Sequence, residues 1–183
     1  MVAGLMLTTL TALAACGAPA ARSPVRCQDA PWHSPAEGDA GAPALGEPMA
    51  TLHRGACLGT CPAYVVSIYR DGTVRYEGRQ FVKTKGRAVG HIPAADVDAL
   101  ERVFVAADWY ALRDSYSDGT ITDVPDAVTT YASNGRTKTI VHDPTDRSAP
   151  RALDAVEHAI DLLAHVEQWT GTEQERSALF PCP

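Results

Sequence analysis

Residues 52–78 read LHRGACLGTCPAYVVSIYRDGTVRYEG, and this stretch decides the fold. Tyr64, Val66 and Ile68 alternate with Val65, Ser67 and Tyr69, the period-two pattern of a strand built from β-branched and aromatic residues. Asp71-Gly72 follows as a two-residue hairpin signal, since both residues tolerate the positive φ that such turns require. Val74 and Tyr76 then alternate with Thr73, Arg75 and Glu77 on a return strand. Upstream, residues 49–54 read as a short first strand. It leads into a loop that holds Cys57 and Cys61, with Pro62 directly behind the second cysteine.

Toward the C-terminus, Phe81-Val82 and residues 88–92 read as further extended segments. Pro93 suits the first turn of a helix, where its missing N–H costs nothing. Val97, Leu100, Val103, Phe104 and Ala107 recur at helical spacing and give that helix one apolar stripe. Trp109, Tyr110 and Leu112 are expected to close the core beyond its end. An acidic loop at 114–126 precedes two extended runs flanking Asn134-Gly135, a second hairpin signal. Ser148 is expected to cap a last helix, with Pro150 in its first turn and Asp154 and Glu157 early along it. Leu153, Val156, Ile160, Leu163 and Val166 form its stripe, with Trp169 near its end. Locally paired strands, with a helix after each group, predict an α+β fold. The expected form is an antiparallel sheet of about four to six strands with two helices on one face.

Toward the N-terminus, residues 1–15 carry no charged side chain, and their apolar run is shorter than the about 20 residues a bilayer span needs. They read as a secretion signal. Leu13-Ala14-Ala15-Cys16 resembles the bacterial lipobox, which implies a diacylated Cys16 as the first mature residue and attachment to a membrane through lipid. Residues 16–48 alternate prolines with Ala, Gly and Ser. They cannot bury enough surface to offset their ordering entropy, so they are expected to act as a tether. The globular part is then 49–169, with 170–183 a C-terminal tail. A formal charge of −6 without a basic stripe argues against nucleic acid as a partner, and against an electrostatic grip on anionic lipid. The expected partner is an envelope protein or ligand. Gly17-Ala18 behind the lipid cysteine implies the outer membrane, facing the periplasm.

Arg54, Cys57, Gly59, Cys61, Pro62 and Tyr64, followed by Asp71, Gly72, Val74, Tyr76 and Gly78 and then by Thr122, Asp123 and Pro125, form a spaced pattern. It resembles a bacterial family of secreted proteins and lipoproteins, domain of unknown function 6438. The resemblance covers about residues 50–165 and implies no established activity.

With Cys16 acylated, Cys27, Cys57, Cys61 and Cys182 remain, an even number in an oxidising compartment. The favoured pairing is Cys57 with Cys61 and Cys27 with Cys182, which leaves no thiol for chemistry. The alternative is a copper or zinc site, or a thiol-redox centre, made of Cys57 and Cys61 with His53; His91 and His142 are further candidates. The C-x-x-x-C-P spacing resembles that of Sco-type copper-delivery proteins. There the motif opens a helix, whereas Pro62 leads into a strand. His33, His158 and His165 have weaker claims. Asp114, Asp118 and Asp123, with Asp126, offer oxygen ligands suited to calcium without matching the EF-hand spacing. No nucleophile elbow, zinc-protease helix, phosphate loop or dinucleotide fingerprint is present, so no catalytic residue is nominated.

Overall fold

The structure, a computed structural model, describes residues 46–117 and 126–180. Its sheet forms around β1 (Ala50–Arg54). On one side β1 pairs antiparallel with β2 (Ala63–Ile68), which continues into β3 (Thr73–Gln80) and β4 (Gly86–His91). On the other side it pairs antiparallel with β6 (Ala127–Ser133), which turns into β7 (Arg136–His142). The two-residue β5 (Ser115–Tyr116) lies parallel to β7 at the edge. The order β4-β3-β2-β1-β6-β7-β5 makes seven strands, more than the four to six expected. The excess is β5, a fragment too short for any periodic signal. The short first strand therefore welds two hairpins into one sheet.

Both hairpin signals mark real turns, with one difference in geometry. Asn134 and Gly135 have φ of 53° and 71° and join Ser133 directly to Arg136, a two-residue turn as expected. At Asp71-Gly72 only Gly72 is left-handed, at φ 86°. Tyr69 accepts from the Gly72 N–H at 3.0 Å and donates to Thr73 O at 2.9 Å, so the connection is longer by one residue. Asp71 instead uses its carboxylate to accept from the Thr73 N–H at 2.9 Å. A Cβ on Gly72 would lie 2.3 Å from Ile92 O, so space as well as φ demands glycine here.

The main helices are α1 (Ala94–Ala106) and α2 (Arg151–Leu163). Pro93 and Pro150 are their N-caps rather than first-turn residues, with extended ψ of 151° and 142°. Ser148 does not cap α2. A residue before proline is disfavoured in the α region, so the helix cannot begin at Ala149. The Ser148 hydroxyl instead accepts from Arg113 Nη2 at 2.6 Å. Beyond α2, His165 adopts φ 51° and ends the expected continuation toward Trp169. Two shorter helices follow, α3 (Glu167–Thr170) and α4 (Glu173–Leu179), the latter within the expected tail. Thr172 and Glu175 form a reciprocal capping box at its start, a signature legible in the sequence.

Among the described residues the helices pack on one face of the sheet. Val97, Leu100 and Phe104 of α1 and Leu153, Val156 and Ile160 of α2 are buried against it. Phe104 stacks on Tyr131 at 4.0 Å and meets Trp109 edge-on at 5.0 Å, while Trp169 stacks on Tyr76 at 5.0 Å. The register sets Ala88, Tyr76, Val66, Leu52, Thr129 and Ile140 in one row under the helices. The next row holds Gly78, Tyr64, Arg54, Ala127 and His142. On the opposite face Thr51, His53, Val65, Ser67, Arg75, Glu77, Val128, Thr130 and Val141 are half-buried, and none is buried. Among the described residues no element covers that face.

Candidate functional site

Arg54 and Tyr64 are the last paired residues of β1 and β2, and the chain between them contains the cysteine loop. Cys57 and Cys61 are joined there as a disulfide, with a Cα separation of 5.7 Å. Gly55 ties the loop down through its N–H to Asp126 O at 2.8 Å. Leu58 stands at the tip, 72% exposed.

Under the loop, the even positions of β1 and β2 face α2, and this places Arg54 and Tyr64 against two carboxylates one turn apart. Arg54 Nη1 donates to Glu157 Oε2 and Nη2 to Asp161 Oδ2, each at 2.9 Å. Tyr64 OH donates to Asp161 Oδ1 at 2.5 Å. His142, brought into the same row by β7, engages Glu157 Oε1 through Nδ1 at 2.9 Å. A carboxylate only accepts, so Nδ1 carries the proton. His142 Nε2 lies 3.9 Å from Asp154 Oδ1, an attraction without a hydrogen bond.

The result is a chain of contacts, Tyr64–Asp161–Arg54–Glu157–His142, in which both oxygens of each carboxylate are engaged. The side chains of Glu157 and His142 are 4% and 3% exposed. The hydrogen bond to Glu157 raises the His142 pKa above its ordinary value, against burial, which acts to lower it. Burial, then the Asp161 charge, pushes the Tyr64 phenol well up, so it remains a donor. Burial opposes the Arg54 charge, but Asp161, Tyr64 and Glu157 outweigh it and hold the guanidinium above its usual range. Chemically, the cluster is a latch that fixes α2 to the strand ends on either side of the disulfide.

The expected site residues distribute as follows. His53 points to the open face, away from the latch, where Arg79 Nη1 donates to its Nε2 at 3.1 Å. Arginine has no acceptor, so His53 is neutral in this contact; burial, then the Arg79 charge, lowers its pKa. Among the described residues no group of three His, Cys, Asp or Glu side chains converges as a metal site. Asp114 pairs with Lys138 Nζ at 2.8 Å. Asp118 and Asp123 lie outside the described residues, as do Cys16, Cys27, Cys182, His33, Thr122 and Pro125. His91, His158 and His165 are exposed. His165 borders a shallow cleft of about 430 Å³ between α2, α3 and α4, together with Asp161, Leu162, Lys83 and Glu175. No described helix is long and apolar enough to cross a membrane.

Sequence reasoning missed the latch. Its signal was present, because Glu157 stands four residues after Leu153 and three before Ile160, inside the apolar stripe. Two residues of the motif around the cysteines, Arg54 and Tyr64, are the ones that bind α2. A search of curated proteins gives no match. The model of a family described as domain of unknown function, DUF6438, matches residues 48–164, which takes in the whole sheet, the disulfide and every member of the latch. The chain belongs to the DUF6438 family.

Proposed function

We propose that the protein is a lipid-anchored component of the bacterial cell envelope, held by Cys16 and facing the periplasm from the outer membrane. Its α+β domain binds a partner rather than catalysing a reaction. The observation that carries the binding role is the open sheet face, a broad surface of β-branched, histidine and arginine side chains on which no residue is buried. Arginine is among the residue types enriched at protein interfaces. The latch adds rigidity beneath it, because both carboxylates spend their oxygens on positioning.

The compartment is supported by the apolar N-terminal run, by the lipobox-like Leu13-Ala14-Ala15-Cys16, and by the disulfide, a bond that persists in oxidising surroundings. A Cys27–Cys182 bridge completes this reading and would staple the tether to the C-terminus.

Two measurements on protein purified from the envelope test it. Metabolic labelling with an alkyne fatty acid should mark the wild type and not Cys16→Ser, and an unlabelled wild type ends the anchor reading. Thiol counting by mass spectrometry with metal analysis should find Cys27, Cys57, Cys61 and Cys182 oxidised and the protein metal-free. Reduced Cys57 and Cys61 carrying copper or zinc would replace the binding role with metal handling through those sulfurs and His53.

A further inference from the structure

The formal charge of −6 is unevenly spread. Residues 73–91, the β3–β4 hairpin, carry five of the chain's 16 Lys and Arg but one of its 22 Asp and Glu. The hairpin therefore stands at +4 in an acidic protein. Arg75, Arg79 and Arg87 share the open face of the sheet, and Lys83 and Lys85 occupy the turn. Lys85 and Arg87 are exposed, as is Val89 beside them at 69%.

Among the described residues the carboxylates near these cations include Glu77, which is paired across the strands with Arg87 and lies 3.6 Å from Arg79, and Glu175 of α4, 2.9 Å from Lys83. Both pairs are more than a third exposed, so water screens them and a denser anionic surface can compete for the cations. Arg75 lies over the Tyr69 ring at 5.5 Å. The hairpin is rigid. It is paired from Thr73↔His91 to Gly78↔Gly86, and the Lys83 and Thr84 N–H groups donate to Thr170 O and Trp169 O at 3.1 and 2.8 Å. Lys83 borders the cleft between α2, α3 and α4. Arg75, Arg79 and Arg87 are spread over one face of the paired strands, and cations spread in this way match charge spread over a plane rather than a single bound anion.

We propose that the β3–β4 hairpin is the surface by which the domain lies against the anionic phospholipid headgroups of the membrane that holds its anchor. The proposal rests on the anchored reading above. A lipid chain supplemented by a basic patch is a stable mode of attachment, because the tether keeps the patch at high local concentration over the headgroups. The chain-wide charge hides this patch by averaging it with the acidic helical layer.

The chain has three lysines, Lys83, Lys85 and Lys138, so acetylation read by mass spectrometry reports on the hairpin with an internal control. The Lys138 ammonium is bonded to Leu112 O and paired with Asp114 on the helix side of the sheet. The full lipidated chain is placed on vesicles of phosphatidylcholine alone, or of phosphatidylcholine with phosphatidylglycerol. Acetylation of Lys83 and Lys85 should slow about fivefold or more on the anionic vesicles, since each cation near such a surface contributes about that factor. Lys138 should not change. The protection should vanish in about 0.5 M NaCl and in Arg79→Gln/Arg87→Gln, whose melting is checked against the wild type. Equal rates on both vesicles overturn the proposal. So does protection by soluble polyglutamate but not by anionic vesicles, which would assign the hairpin to an acidic protein. A chain that stays in the supernatant of neutral vesicles shows instead that the anchor reading has failed. The hairpin is then judged separately, by whether anionic vesicles alone sediment it.

Discussion

Arg54 and Tyr64 face each other across β1 and β2 at the mouth of the disulfide-closed loop, and both donate to the carboxylate of Asp161 on α2. The cysteine clip and the helix are therefore coupled through one rung of the sheet. Closing the loop holds the two strand ends at fixed separation, and that separation lets a phenol and a guanidinium share one acceptor. Glu157, one turn earlier on α2, extends the contact to His142 and so to the second hairpin.

Removing the cation at the centre of the latch should be costly. Arg54→Met leaves Glu157 and Asp161 facing each other without their shared donor. The expected loss is about 3 kcal/mol, the lower part of the range for breaking a buried pair, because Asp161 keeps some access to water. Arg54→Lys should recover only part of it, since one ammonium cannot span both carboxylates as the guanidinium fork does. Urea unfolding of the three proteins measures both effects, and a neutral Arg54→Met would refute the latch.

Stability should depend on pH through His142. Its folded pKa is raised above the ordinary 6.5 by the Glu157 hydrogen bond. The protonated ring therefore contributes stability that is fully present below about pH 6.5 and is lost as pH rises through the raised value. In melting curves taken across that interval, the gap between wild type and His142→Gln should narrow with increasing pH. A gap that widens instead would show that His142 is held neutral.

The disulfide should contribute modestly. For a loop as short as that between Cys57 and Cys61, the chain-entropy account gives about 2 kcal/mol. Cys57→Ser/Cys61→Ser should lose that amount in denaturant, and reductant should cost the wild type more, by the contribution of the Cys27–Cys182 bridge. A loss well beyond it would mean that Arg54 and Tyr64 depend on the clip for their geometry.

Tyr76 offers a prediction of opposite sign. Its ring stacks between those of Tyr64 and Trp169, and its buried hydroxyl has no hydrogen-bond partner among the described residues. An unpaired buried donor costs free energy, so Tyr76→Phe, which keeps both ring contacts, should stabilise the fold by about 1 kcal/mol. Destabilisation would indicate that an ordered water serves the hydroxyl.

Local signals carried much of the architecture. Alternation in residues 64–68 marked β2, Asn134-Gly135 marked a two-residue turn, and the stripes of α1 and α2 marked the helical layer. These patterns are written within a few residues, because the periods of strand and helix impose themselves locally. Cap positions were less legible. Ser148 carries a cap residue's chemistry, yet Pro150 moved the helix start beyond it.

The α+β class, the main strands and helices and the family resemblance were legible in the sequence, and Cys57–Cys61 was its favoured pairing, because strand and helix periods and motif spacings are local patterns. Only the tertiary structure decided what those residues do together. Arg54 and Glu157 are 103 residues apart in the chain, and no local period relates them. Their meeting depends on β1 being inserted between two hairpins and on the register that turns Arg54 toward α2. The same register turns His53 to the other face and sets three arginines of the β3–β4 hairpin on that face around Glu77. A one-residue slip would exchange those faces, because side chains alternate along every strand.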